Sequence, residues 1–244
     1  MQLSRPIAQN KALQKTLNYR NLDVPKAGEM PIDPHMVATD HDHTELLLTL
    51  NYITPLSEPF LQRINRQLLT EPFKARQLLL QIGEIARRVY YVKSGLLRGY
   101  FFDENGKEHT SWFVQKGDIL LSASSFFDQS PSAEYIEVLQ DSILQSLTWY
   151  ELQTYYADFR EANLIGRMII EKYHVLSEAR NRFLRITDQT QRYRRLLADY
   201  PQIEQLTTAK NIASYLGINR ETLSRIKSRL LRTGMSTIKR SLVF

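Results

Sequence analysis

The sequence predicts an α+β protein made of a small antiparallel β-barrel, a long helix and a C-terminal helix–turn–helix. Three observations carry that expectation. Short, alternating, partly aromatic runs separated by turn signals fill residues 75–150. From Ala162 to Ile186 an apolar position recurs every three or four residues, with one lysine in the series. Near the C-terminus the stretch ASYLGINRETLSRIKSRL, Ala213–Leu230, splits two short amphipathic patterns at a glycine.

Composition narrows the class. The chain of 244 residues is long enough for one large domain or two modest ones, and 43% hydrophobic with 24% charged residues is ordinary for a soluble globular protein. No apolar run approaches the roughly 18 residues needed to cross a membrane. The opening MQLSRPIAQNKALQ has no apolar core of a secretory signal. The expectation is a cytoplasmic protein with no membrane partner. There are no cysteines, which removes disulfides, thiolate zinc sites, cysteine nucleophiles and thiolate-held iron–sulfur clusters together. The net charge of +6 is unevenly spread. Residues 187–244 hold 11 Lys and Arg against 4 Asp and Glu, whereas residues 1–186 hold 21 against 22. A basic module on a neutral body points to a polyanionic partner.

Along the chain, residues 1–43 read as a flexible N-terminal extension, with Pro6, Pro25, Pro31 and Pro34 and few periodic apolar positions. His41 and His43 have no third ligand in view, so no metal site is expected. Glu45–Leu69 reads as helix, with Leu46, Leu47, Leu50, Ile53, Leu61, Ile64 and Leu68 buried, Pro55 breaking it and Ser57 capping its second half. Strand patterns follow at Ala75–Leu80, Arg88–Val92, Leu96–Phe102, His109–Val114 and, once or twice, within Glu134–Tyr150. Asn105-Gly106 between two alternating runs is a hairpin signal, because such a turn needs positive φ. Asp103, Glu104 and Glu108 fall around that turn, where solvation explains them.

A long helix is expected from Glu151 to Ile186. Ala162, Ile165, Ile169, Lys172, Leu176, Ala179, Phe183 and Ile186 step alternately by three and four, a heptad seam. The favoured reading is a two-stranded coiled coil, hence a homodimer with Ile165, Ile169, Leu176 and Phe183 in its interface. The alternative is a helix packed on its own barrel.

The terminal stretch fills every slot of a helix–turn–helix. Ala213 is small enough for a close helix crossing, Gly217 supplies positive φ, and Ile212, Leu216, Ile218, Leu223 and Ile226 form its inner face. Thr208 is placed to cap the first helix and Asn219 the second. Helix N-termini aim free N–H groups at anions. Arg220, Glu221, Ser224 and Arg225 face outward, where Arg can bridge the two acceptors of guanine and Glu can accept from cytosine. Lys210, Lys227, Arg229 and Arg232 suit phosphates.

Barrel, long helix and basic helix–turn–helix in this order resemble the Crp–Fnr family of bacterial transcription regulators, over about residues 45–232. Val92-Lys93-Ser94-Gly95-Leu96-Leu97-Arg98 and Asp103-Glu104-Asn105-Gly106-Lys107-Glu108 are similar to the family's cyclic-nucleotide-binding-type barrel, a jelly roll. Ile212–Ile218 with Glu221–Ile226 is nearest to the branch common in Bacteroidetes-type bacteria. The resemblance implies a cyclic-nucleotide-binding-like effector domain at 44–150, a dimerisation helix at 151–186 and a winged-helix-like DNA-binding domain at 187–244. It implies double-stranded DNA and a second copy of the chain as partners, with RNA polymerase a further candidate. Arg220-Glu221-Thr222 followed by Arg225 matches the spacing that reads a TGTGA-type half-site. By that match Arg220 and Arg225 meet guanines, Glu221 a cytosine, and Thr208, Asn219 and Thr222 phosphates.

The effector cassette departs from the family. In cAMP-responsive members a Gly-Glu pair holds the ribose and an Arg-Ser or Arg-Thr pair the cyclic phosphate. Over the cassette from Gly117 to Ala133, Leu121-Ser122 stands for the first pair and Ser132-Ala133 for the second. A buried phosphate without its arginine loses a charge-assisted partner. The expectation is therefore no cAMP and no cofactor. Another small effector in an apolar pocket near Phe113, Leu121, Phe126 and Phe127 stays open, as does control by abundance alone. A haem could use only a lone His109 or His174. No nucleophile–base pair, phosphate loop or metal set suggests an enzyme. The remaining alternative is a small-molecule-binding barrel with a non-specific basic tail.

Overall fold

A computed structural model describes residues 44–241, with side chains described for residues 45–232. The expected N-terminal extension, with His41 and His43, and residues 242–244 lie outside the described residues.

Two short helices open the fold, α1 (Thr44–Ile53) and α2 (Glu58–Gln67). They bury Leu46, Leu47, Leu50, Phe60, Leu61 and Ile64. Pro55 separates them, since a proline disfavours helix at the residue before it. Ser57 has the backbone of a cap but makes no capping bond. Its hydroxyl donates instead to Glu161, a contact 104 residues away that sequence spacing could not register.

Eight strands follow: β1 (Leu69–Phe73), β2 (Leu78–Leu80), β3 (Arg88–Ser94), β4 (Leu96–Phe102), β5 (Glu108–Gln115), β6 (Ile119–Leu120), β7 (Tyr135–Val138) and β8 (Ser142–Thr148). They form two four-stranded sheets, ordered β1-β8-β3-β6 and β2-β7-β4-β5, with every pairing antiparallel. β1 begins at Leu69, the last residue of the expected helix, and runs through a stretch for which no strand was expected. It is an edge strand, where Pro72 loses no ladder bond that matters. The β4–β5 hairpin turns at Gly106 (φ 71°), and the Asp103 carboxylate accepts from the N–H groups of Asn105 and Lys107. Between the sheets lie Val92, Leu97, Leu120, Ile136, Val138 and Leu144, with Phe126 from the short α3 (Ala123–Asp128). Each fully buried side chain of this size contributes about 1.5–3 kcal/mol.

The expected single long helix is two. α4 (Trp149–Asp158) starts in a capping box in which Thr148 and Glu151 satisfy each other's backbone N–H groups. α5 (Arg160–Leu184) follows after Phe159, whose backbone is extended. The break carries no proline or glycine. Its cause is packing: Phe159 is buried with its ring 5.3 Å from Phe60 and 5.7 Å from Tyr155.

The seam also divides. Ala162 and Ile165 pack into the core formed by α1, α2 and Tyr155, and Ile169 is half-buried against it. Phe183 packs into the C-terminal module. Ile165 and Phe183 are each only 7% exposed within this chain, so most of the surface expected to face a partner is already covered by the chain's own core.

The C-terminal module comprises α6 (Gln189–Asp199), α7 (Ile203–Leu206), α8 (Ala209–Leu216) and α9 (Arg220–Ser241). Leu196, Ile203, Ile212, Ala213, Leu216, Ile218, Leu223 and Ile226 form its core, and Leu96 and Phe113 of the barrel join it. No wing strand follows α9 among the described residues.

Candidate nucleic-acid interface

The candidate interface is built on the α8–turn–α9 unit. Thr208 caps α8, its hydroxyl accepting from the Asn211 N–H at 3.3 Å. Gly217 closes the helix in the left-handed region (φ 66°), a conformation costly for a residue with a Cβ. Asn219 then caps α9, its Oδ1 accepting from the Thr222 N–H at 2.8 Å. These three residues set the crossing of the two helices, and Ala213, 2% exposed, lies in the core between them.

The geometry leaves Arg220, Glu221, Ser224 and Arg225 exposed on α9. Arg225 is oriented by its own helix: Nη2 donates to the Thr222 hydroxyl at 3.2 Å. Ser224, Arg225, Ser228, Arg229 and Arg232 line one open depression along the same helix. A narrow rod presenting two arginines and a glutamate at its N-terminal end suits a major groove by width and by donor pattern.

Three residues expected to meet phosphates are engaged within the chain. Lys227 is half-buried and paired with Glu204, which also accepts from the Tyr193 hydroxyl at 2.6 Å. Burial of Glu204 favours its neutral form, but Lys227 and Tyr193 outweigh that and hold the carboxyl below its usual range. Arg229 donates to Thr190. The Lys210 ammonium lies 2.9 Å from Glu108 of the barrel. Thr208 and Asn219 remain exposed.

Glu108 itself is not a solvated turn residue. Its side chain is 11% exposed and bonds Arg98, which is 5% exposed and also pairs with Glu137. Asp103 bonds His109 at 2.7 Å, and His109 stacks on Phe101. His174 is exposed beside Glu178.

Sequence reading missed the rivet between barrel, long helix and C-terminal module. Arg180 of α5 donates to the carbonyls of Thr110 on β5 and Tyr215 on α8, at 3.0 and 2.8 Å, with its guanidinium 3.7 Å over the Tyr215 ring. An arginine amid exposed helix charges carries no signal of such burial.

The effector cassette closes on itself. Ser122 and Ser132 are buried with their hydroxyls 3.4 Å apart, and Leu121 and Phe126 are buried beside them, whereas Ala133 is exposed. Of the expected apolar pocket, Phe113 faces the C-terminal module and Phe127 is 45% exposed. Glu134 enters unannounced. Burial raises its carboxyl above the usual range, against hydrogen bonds from Ser122 and Trp112. Tyr173 of α5 donates to the Ile119 carbonyl nearby.

Comparison with known proteins places these features. Residues 70–158 match the model of the cyclic nucleotide-binding domain. Regulatory protein HlyX of Actinobacillus pleuropneumoniae is 23% identical over 179 residues, 69% of this chain and 74% of its own. The structure of FixK2 from Bradyrhizobium japonicum superposes with a TM-score of 0.59 at 19% identity, covering 68% of this chain and 86% of that one. A protein from Eubacterium rectale assigned to the crp/fnr family gives 0.61 at 20%, covering 73% and 85%. No helix among the described residues is long and apolar enough to cross a membrane.

Proposed function

From a cyclic nucleotide-binding domain set in the fold of Crp/Fnr regulators, we propose that this chain is a sequence-specific DNA-binding transcription regulator acting as a homodimer without catalytic activity. One observation carries the reading: a capped helix presents Arg220, Glu221, Ser224 and Arg225 to solvent on the front of a helix–turn–helix. Arg220 and Arg225 bond guanine edges and Glu221 a cytosine, within a TGTGA-type half-site. Thr208, Asn219, Thr222 and Arg232 hold phosphates and fix the register. Lys210, Lys227 and Arg229 contribute only if their internal partners release them.

Two copies would place two such helices in successive major grooves, about 34 Å apart. The face of α5 left over by its own core supports pairing. Leu164, Met168, Val175 and Leu176 are half-buried there and Ala179 is exposed. Leu176 and Ala179 belong to the seam read from periodicity, whereas Leu164, Met168 and Val175 lie one position before seam residues, because Ile165 and Phe183 are spent within the chain.

The barrel does not take cAMP in this reading. Ser132 cannot replace a guanidinium, and Glu134 beside Ser122 offers a phosphate no positive charge. The protein answers to another ligand or to its own abundance.

Selection from a randomised duplex library with the full-length protein tests the function. Enrichment of an inverted repeat with TGTGA-like halves is the expected result. A library that stays random after several rounds would favour the barrel with a non-specific basic tail.

A further inference from the structure

The boundary between barrel and reading module holds a closed set of charges. Glu108 at the start of β5 faces two cations at once. Oε1 accepts from Arg98 Nη1 at 2.7 Å and Oε2 from Lys210 Nζ at 2.9 Å. Arg98 also pairs with Glu137. Two positive and two negative groups therefore cancel. The backbone fixes their register, since the Ser214 hydroxyl of α8 accepts from the Thr110 N–H at 2.8 Å and donates to the Glu108 carbonyl at 3.0 Å.

The four groups differ in access. Arg98 and Glu108 are 5% and 11% exposed, whereas Lys210 is 62% exposed. Lys210 is the second residue of α8, beside the Thr208 cap and its free N–H groups. That end of α8 is where a duplex backbone would pass. The docking leaves the base-reading face of α9 open, so one cation is withheld and the reading face is not covered.

We infer that Glu108 is a positioning residue that holds Lys210 away from nucleic acid, so that the barrel sets DNA affinity through one shared lysine. The inference rests on the DNA-reading function proposed above. A phosphate that claims Lys210 must displace a mostly solvated ion pair. Such pairs are worth roughly 0.2–1 kcal/mol, which converts to an effect of about 1.5- to 5-fold on affinity. Arg98 and Glu137 stay paired when Lys210 leaves, so release does not require the barrel to open.

The salt dependence of duplex binding reads this directly. Each added phosphate contact steepens the slope of log affinity against log salt by about 0.9. Fluorescence anisotropy on a TGTGA palindrome would use the full-length wild type, Glu108→Gln, Lys210→Gln and the double variant. Glu108→Gln should bind tighter within the range above, with a slope steeper by about 0.9. Lys210→Gln should leave the wild-type slope nearly unchanged, and the double variant should return to it. Lys210→Gln leaves the Arg98–Glu108 pair intact, so it reports even if Glu108→Gln unfolds. Without DNA, acetylation of Lys210 read by mass spectrometry should be faster in Glu108→Gln. An unchanged slope in Glu108→Gln, a full-unit drop in Lys210→Gln, or equal acetylation overturns the inference while the DNA reading stands. Failure of the wild type to bind any duplex overturns both.

Discussion

The Phe113 ring of the barrel and the Tyr215 ring of α8 lie 5.0 Å apart, centroid to centroid, and share one core with Phe183 of the long helix. Tyr200 closes the cluster, its hydroxyl donating to the Phe113 carbonyl at 3.0 Å. The C-terminal module is thus packed on the barrel by apolar contact, with Arg180 bonding both sides of the joint.

Removing one ring should cost stability at that joint. Tyr215→Ala is expected to lose about 3–5 kcal/mol in urea unfolding. Phe113→Ala in the same background should add less than it does alone, with a coupling of about 0.5–1.5 kcal/mol. Strict additivity would mean that the rings do not act on each other.

Lys227→Ala should act mainly on stability. Its ammonium is committed to Glu204, so the loss is about 1 kcal/mol for a partly exposed pair, with the salt slope of DNA binding nearly unchanged. A slope lower by a full unit at unchanged stability would return Lys227 to the phosphate-contacting set.

Glu134 makes a pH prediction of definite sign. Its folded-state pKa is raised, burial being the first cause, so the neutral form is the one the fold prefers. Its contribution is fully present below the unfolded value of about 4.3 and is lost as pH rises through the folded value. Glu134→Gln should therefore raise the urea midpoint at neutral pH and leave it unchanged near pH 3. A variant less stable than wild type at neutral pH would show that the carboxylate is favourably held.

Calorimetry should show no heat of cAMP binding to the wild type at submillimolar ligand. Low-micromolar affinity would mean that the Ser122–Ser132 cassette binds phosphate without an arginine.

Much of this architecture is legible locally. Asn105-Gly106, Thr208, Gly217 and Asn219 announce turns and caps because the chemistry lies within three or four residues. The break at Phe159 is not legible, since it is decided by Phe60 and Tyr155 and no helix-breaking residue marks it. Periodicity showed that Ile165 and Phe183 are buried but not against what. Lys210 and Lys227 read as free cations because their partners, Glu108 and Glu204, are distant in sequence. Glu134 and Arg180 carried no signal, because only the tertiary fold buries them.

The central claim is that α9 reads bases through Arg220, Glu221 and Arg225. Fluorescence anisotropy of the full-length protein on a TGTGA palindrome and on a scrambled duplex, at near-physiological salt, tests it most directly. The account predicts a preference of about a hundredfold or more for the palindrome. It also predicts that Arg225→Ala loses about 1–3 kcal/mol on the palindrome and far less on the scrambled duplex. Equal affinity for the two duplexes, or an Arg225→Ala loss that is the same on both, would contradict it.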